Sequence, residues 1–109
     1  MTYEDLVAQV RACYKKVDVS NINEHVAIEV DIRGEAEGAF YIEIRNKEIV
    51  VEPYEYYDRD VILTTQADVI LDIASGALDI EEAFNKGKVH IRGKLDKAYL
   101  LKDAIYPKK

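Results

Sequence analysis

The sequence has 109 residues, which suffices for one domain with a hydrophobic core of its own, and we expect residues 1–109 to form that single domain. Hydrophobic residues make up 49% and charged residues 33%, and no apolar run approaches the roughly 18 residues that a membrane span requires. The net charge of −6 argues against binding to nucleic acid, which depends on neutralising phosphates.

The cysteine content indicates a reducing compartment. Cys13 is the one cysteine in the sequence, so no internal disulfide bond can form. The first residues also lack the features of a secretory signal peptide. We therefore expect a soluble protein in the cytoplasm.

An amphipathic helix is predicted over residues 3–17, because apolar side chains recur there at spacings of three and four. Thr2 is expected to cap its first turn, and Glu4 and Asp5 suit the positive end of the helix dipole.

Three strands are predicted next, over residues 25–33, 40–45 and 48–52. The first alternates between apolar and polar side chains, which is typical of a strand with one buried side and one side in water. Its polar side, which includes Ala27 and Glu29, is expected to face solvent. Short connections, including a tight turn at Asn46-Lys47, predict an antiparallel meander.

The second half adds a strand over residues 61–64, a helix over 66–75, a short helix over 80–86, a strand around 89–92 and a last helix over 95–106. The class is therefore α+β. We expect a two-layer domain with a five-stranded, mainly antiparallel sheet, made of the meander and two further strands, and with helices covering one face.

Two of these helices are apolar around most of their circumference. In residues 67–74, polar side chains occupy only the narrow wedge of Asp68 and Asp72, and the last helix has a wide apolar stripe. Such a helix needs apolar neighbours on more than one side. The second neighbour is another helix, a partner chain or a ligand in an apolar cavity, and periodicity does not separate these three.

Residues 61–105 contain a series of motifs in a defined order. These are a strand, a helix that ends in an Ala-Ser-Gly turn at 74–76, the pair Ala83-Phe84, then Gly87-Lys88, a short strand and Gly93. In this order they resemble the sterol carrier protein type 2 (non-specific lipid-transfer, SCP-like) domain. The first 60 residues match that family in their order of elements, a helix followed by a meander.

The resemblance implies a non-catalytic domain that binds, and can transfer, an apolar lipid-like ligand such as a fatty acid, fatty acyl derivative, sterol or phospholipid. It implies a cavity between helices and sheet, although the residue types alone favour an ordinary hydrophobic core at each expected wall position. The residues expected to line the cavity are Ile70, Leu71, Ala74, Phe84, Tyr99, Leu101 and Ile105.

Two surface features have functional interpretations. Residues 86–109 hold eight basic and two acidic residues, whereas residues 1–85 hold seven basic and 19 acidic residues. This basic segment predicts either a plain solvated surface or transient docking to an anionic head group or membrane, through Lys94, Lys97 and Lys102.

The loop at 53–60 contains three tyrosines, Tyr54, Tyr56 and Tyr57. They predict either a loop that packs over the edge of the sheet, or a lid or interaction surface.

No pattern predicts an enzyme, a cofactor or a metal site. Ser20 and Ser75 lie outside nucleophile motifs, and His25 and His90 lack a second ligand at metal-binding spacing. The alternative to lipid binding is therefore a protein-interaction or homodimerisation module that has the same fold and no ligand.

Overall fold

The computed structural model describes residues 1–54 and 58–106. These residues form an α+β structure in which helices pack on a five-stranded mixed sheet. In chain order the elements are α1 (Tyr3–Tyr14), β1 (Val26–Ile32), β2 (Gly38–Arg45), β3 (Glu48–Glu52), β4 (Val61–Thr65), α2 (Ala67–Ser75), α3 (Ile80–Asn85), β5 (His90–Gly93), α4 (Leu95–Tyr99) and a 3₁₀ turn (Leu100–Asp103).

Helix α1 begins where its sequence predicts. The Thr2 hydroxyl accepts a hydrogen bond from the Asp5 amide at 3.1 Å, and the Asp5 carboxylate accepts one from the Thr2 amide at 3.3 Å. This reciprocal capping box satisfies two amides that the first helical turn leaves without partners. The helix ends at Tyr14, three residues before the predicted end, although Val17 remains buried.

The sheet has the strand order β3-β2-β1-β4-β5. The meander is confirmed, since β1 pairs with β2 and β2 with β3 in antiparallel register. Asn46 and Lys47 form the predicted tight turn, both with positive φ (50° and 64°), as a two-residue hairpin loop requires. Strand β4 lies parallel to β1, and β5 pairs antiparallel with β4, so the sheet is mixed but mainly antiparallel.

The hydrophobic core lies between the sheet and the helices. Helix α1 packs against α2 and β3, while α4 packs against β1 and β4. The alternating apolar residues of the central strands supply the sheet side of this core, where they are almost completely buried; they are Val26, Ile28, Val30, Ile32, Phe40, Ile42 and Ile44. We call this side of the sheet the inner face.

The opposite side, the outer face, differs from its prediction. Ala27 and Glu29 were expected in water, yet both are buried, and so is Glu43 on β2. Asp60 forms two hydrogen bonds with the backbone of Ala27. The Asp60 amide donates to the Ala27 carbonyl at 2.8 Å, and the Asp60 carboxylate accepts from the Ala27 amide at 2.9 Å. The Arg59 guanidinium lies 3.6 Å from the Glu29 carboxylate, so a residue just before β4 helps to cover this face of β1.

The C-terminal segment also differs from its prediction. Helix α2 ends at Gly76 in the left-handed conformation (φ 84°), as expected. The single helix predicted over 95–106 is instead α4, a 3₁₀ turn and an extended stretch. Ile105 leaves the helix because its amide and carbonyl both bond to the backbone of Asp18, at 2.8 and 2.9 Å. This long-range bridge also explains why α1 ends early.

Candidate functional site

The seven residues predicted to line a cavity occupy different depths of the helical layer. Ile70 and Ala74 of α2 are fully buried, and Leu101 in the 3₁₀ turn is nearly so. Three others are partly buried against the core; they are Leu71, Phe84 and Tyr99. In this closed arrangement, most of the predicted wall residues contact the core.

Ile105 lies apart from the other six. Its side chain is 52% exposed, because the backbone bridge to Asp18 places this residue in extended structure beside the end of α1. The structure therefore does not bring Ile105 into the same inward-facing group as Ile70 and Ala74.

The two aromatic residues of the set are in contact. The Phe84 ring on α3 meets the Tyr99 ring on α4 edge to face, with centroids 6.5 Å apart. The Lys102 ammonium lies 5.9 Å from the centre of the Tyr99 ring and hydrogen-bonds to the Glu81 carboxylate, which raises the pKa of the lysine. We call Phe84, Tyr99 and Lys102 the aromatic patch; it combines apolar area with a positive charge at its rim.

The three lysines proposed for docking all have acidic partners. The Lys94 ammonium lies 3.6 Å from the Asp60 carboxylate, and that of Lys97 lies 3.2 Å from Glu24. Lys102 pairs with Glu81 as described above. Each positive charge is therefore compensated locally, and a docking anion must compete with a carboxylate of the protein itself.

The loop tyrosines are described only in part. Tyr54 is 63% exposed, so its ring is available at the surface. Tyr56 and Tyr57 lie outside the described residues.

Sequence reasoning missed an apolar pocket between α1 and β3. It has a volume of about 200 Å³, and Tyr14, Ile49 and Val51 contribute apolar surface, with Arg11 and Lys15 also among its lining residues. The Arg11 guanidinium donates a hydrogen bond to the Val51 carbonyl at 3.0 Å and so holds the helix beside this edge strand. The i, i+4 spacing of Arg11 and Lys15 was visible in the sequence, but the strand they flank was not.

Two neighbouring tyrosines, Tyr14 and Tyr106, are buried to different degrees in the helical layer. The Tyr106 hydroxyl donates to the Ile73 carbonyl at 2.9 Å, and burial raises its pKa. Burial also raises the pKa of Tyr14 well above its ordinary value, with the neighbouring Tyr106 adding to the shift. The Tyr14 hydroxyl is inaccessible to solvent and lacks a well-aligned hydrogen-bond partner among the described residues.

Within residues 1–54 and 58–106, no group of three or more His, Cys, Asp or Glu side chains is placed to hold a metal ion. No helix in these ranges is long and apolar enough to cross a bilayer.

Several solved structures share the fold at low sequence identity. The palmitated sterol carrier protein 2-like 2 of Aedes aegypti is 21% identical, with 94% of this chain and 93% of that chain covered and a TM-score of 0.64. Sterol carrier protein 2 of the same organism, in complex with palmitate, is 18% identical with the same coverage and a TM-score of 0.59.

The fold also occurs as part of a larger enzyme. A double mutant of the sec-alkyl sulfatase PisA1 from Pseudomonas sp. matches 89% of this chain at 14% identity with a TM-score of 0.72, but this chain spans only 16% of that protein. These similarities show the fold alone.

No curated protein matches the chain by sequence. The profile of the SCP-2 sterol transfer family, however, matches residues 4–105, which is nearly the whole sequence. The motifs in residues 61–105 and the helix and meander before them thus fall within one family match, and the chain belongs to the SCP-2 sterol transfer family.

Proposed function

We propose that this protein is a non-catalytic binding domain in the cytoplasm that holds an apolar, lipid-like ligand between its helices and its sheet. The observation that carries this proposal is the family match over residues 4–105. Two structures of similar fold, both from Aedes aegypti, contain palmitate, which supports a fatty acid or fatty acyl derivative as the first ligand to test.

The physical basis is the burial of a hydrocarbon chain. Each methylene group that is fully removed from water contributes about 0.8 kcal/mol, so a long acyl chain binds tightly without directional contacts. The side chains of the helical layer supply matching apolar surface. Specificity for one lipid is then loose, and sterols and phospholipids remain candidates alongside fatty acids.

The helical layer must open for such a ligand to enter. Ile70, Ala74 and Leu101 are closely packed, so the proposed cavity forms when the segment containing α4 and the 3₁₀ turn moves away from the sheet. This segment suits that role, because a five-residue helix has little stability of its own. The ligand would then contact Ile70, Leu71, Ala74 and Leu101, and the Ile105 end of the segment would move with it.

The aromatic patch is the proposed entrance. Phe84 and Tyr99 offer apolar surface to an entering chain, and Lys102 can exchange Glu81 for the carboxylate of a fatty acid. Lys94 and Lys97 would add attraction to an anionic membrane during transfer. Tyr54 is a candidate lid or contact residue, because it is exposed beside the sheet.

The test is displacement of a fluorescent fatty acid by unlabelled fatty acid, sterol and phospholipid. We expect saturable binding to the wild type and at least about tenfold weaker binding to Leu101→Trp, because the larger ring fills the cavity. Leu95→Trp is the matched control, since the same change there affects a partly exposed position, and its affinity should equal that of the wild type.

Circular dichroism should show the same fold in all three proteins. Absence of saturable binding at micromolar protein would contradict the proposal. Native mass spectrometry distinguishes lipid binding from the alternative. A monomer with added lipid mass supports a carrier, whereas a ligand-free dimer supports a homodimerisation module.

A further inference from the structure

A second pocket lies on the other side of the sheet, away from the helical layer. It has a volume of about 230 Å³, and two arginines from separate segments line it, Arg59 before β4 and Arg92 in β5. Among the described residues, Asp60, Val61, Ile62 and Gly93 also line it. We call it the arginine pocket.

The register of the strands explains why the arginine pocket lies on the outer face. Arg92 pairs with Ile62 across β4 and β5, and the neighbours of Ile62 in β4, Val61 and Leu63, are buried on the inner face. Because side chains alternate along a strand, Ile62 and Arg92 point to the opposite side. Ile62 thus provides a partly buried apolar floor beside a guanidinium group.

The acidic group of the pocket is already engaged. One Asp60 carboxylate oxygen accepts the Ala27 amide at 2.9 Å, and the other lies 3.6 Å from the Lys94 ammonium. The Arg59 guanidinium forms an ion pair with the buried Glu29 carboxylate, at 3.6 Å. Lys94 therefore offsets Asp60, and Arg59 offsets Glu29.

Arg92 differs from both. It is exposed on an edge strand and forms no ion pair with any carboxylate of residues 1–54 or 58–106. The positive charge of Arg92 is thus an excess over the acids around the pocket. A guanidinium group presents its donors in a planar fork that matches carboxylate and phosphate oxygens.

The backbone near Arg92 is held in place by close packing. Gly93 has a φ of 108°, and a side chain there would meet the Asp60 carbonyl at 2.7 Å. The Lys94 amide donates to that same carbonyl at 3.0 Å. The end of β5 is therefore fixed against the start of β4, so Arg92 extends from a rigid base, which lowers the entropy lost when it binds a ligand.

We propose that the arginine pocket binds an oxyanion of the phosphate type, with Arg92 as the direct contact and Arg59 adding positive charge to the wall. The volume of about 230 Å³ accommodates a phosphate group with a small organic substituent. The anion is either the head group of a lipid or a free phosphate ester. This site is independent of the apolar ligand proposed for the helical layer.

The experiment follows the arginine side-chain NH resonances of the ¹⁵N-labelled protein during titration with inorganic phosphate and with glycerol phosphate, at constant ionic strength set by chloride. We expect a saturable shift of the Arg92 resonance in the millimolar range. Arg92→Gln should weaken phosphate binding by about tenfold or more, because a charge-assisted pair is lost. Binding to this variant is measured from the backbone amide resonances of Ile62 and Gly93.

Two further variants make the test specific. Arg92→Lys keeps the charge but loses the fork, so its affinity should fall between those of the wild type and Arg92→Gln. Arg33→Gln is the matched control, because Arg33 is exposed just after β1 and outside the arginine pocket, and it should bind phosphate as the wild type does. The proposal would be overturned if Arg92→Gln and the wild type bound phosphate with equal affinity. It would also be overturned if chloride shifted the Arg92 resonance as much as phosphate does.

Vesicles identify the source of the anion. If the ligand is a lipid head group, phosphatidylcholine vesicles containing phosphatidic acid should co-sediment with the wild type and with Arg33→Gln more than with Arg92→Gln. If these three proteins sediment equally while soluble phosphate still binds at Arg92, the ligand is a free phosphate ester. A lack of saturable binding in both arms would refute the site.

Discussion

The two faces of the sheet bury their side chains by different means. On the inner face, Ile28 and Phe40 are completely removed from water by apolar contacts with the helical layer. On the outer face, two acidic residues, Glu29 and Glu43, are only 7% and 2% exposed. Each carboxylate has a cationic partner: Arg59 lies 3.6 Å from Glu29, and Arg45 lies 3.3 Å from Glu43.

This difference predicts different responses to mutation. Apolar burial contributes in proportion to area and needs no exact alignment. An ion pair gains little overall, because desolvation of both groups offsets their attraction, and removal of one partner leaves the other unsatisfied. The inner face should therefore supply most of the stability, whereas the outer face should be sensitive to the chemical identity of single groups.

The largest effect is expected from Phe40→Ala on the inner face. Loss of a fully buried aromatic ring, together with the cavity that it leaves, lowers the free energy of unfolding by about 3–5 kcal/mol. The neighbouring Tyr41 points to the outer face and is only partly buried, so Tyr41→Ala is the matched comparison and should lose less. Urea denaturation measures both, and equal losses would show that the two faces do not differ as described.

An intermediate effect is expected from Glu43→Gln on the outer face. The change keeps the shape of the side chain but removes the charge that His25 and Arg45 contact at 2.6 and 3.3 Å. Both partners are about half exposed and regain water, so we expect a loss of about 1–2 kcal/mol. Glu48→Gln at an exposed position of β3 is the control, and a loss as large there would refute a specific role for the buried carboxylate.

Local patterns predicted much of the fold. The capping residue Thr2 and the turn at Asn46-Lys47 act within a few residues of the chain, and the structure confirms both. The alternation in β1 predicted the strand correctly, but its polar side is buried rather than exposed. The family motifs in residues 61–105 likewise predicted the fold class. These features depend on sequence spacing, which is what periodicity records.

The errors have a common physical cause. The bridge between Asp18 and Ile105 joins positions 87 residues apart in sequence, and it ends two helices earlier than their apolar patterns predict. Burial of Glu29 depends in the same way on Arg59, which lies in a different segment. Spacing does not encode such contacts.

The sites show the same limit. The aromatic patch unites Phe84 with Tyr99, both predicted, whereas the arginine pocket unites Arg59 with Arg92 across the sheet. The resemblance of residues 61–105 to the sterol carrier family supplied the candidate apolar residues. The sequence did not identify the arginine pocket, because Arg59 and Arg92 are far apart in the chain and come together only through the pairing of β4 with β5.

The smallest effect at neutral pH is expected from Tyr14→Phe, which tests a polar group on the apolar side of the sheet. Its buried hydroxyl has no hydrogen-bond partner among the described residues, whereas the Glu43 carboxylate of the outer face lies 2.6 Å from His25 and 3.3 Å from Arg45. Removal of an unsatisfied hydroxyl should leave the protein as stable as the wild type or more stable by up to about 1 kcal/mol. Tyr106→Phe is the matched control, since it loses the hydrogen bond to the Ile73 carbonyl and should be destabilised by about that amount.

The dependence on pH sharpens this last prediction. Burial raises the pKa of Tyr14 in the folded state, so above pH 10, roughly the pKa of an unperturbed tyrosine, the unfolded chain releases a proton that the folded chain retains. The free energy of unfolding of the wild type must then fall as the pH rises. Tyr14→Phe lacks this contribution, so its stability relative to the wild type should increase between pH 9 and pH 11, as measured by urea denaturation. A constant difference over that range would mean that Tyr14 ionises equally in both states, and that the inner face admits water where the structure shows it closed.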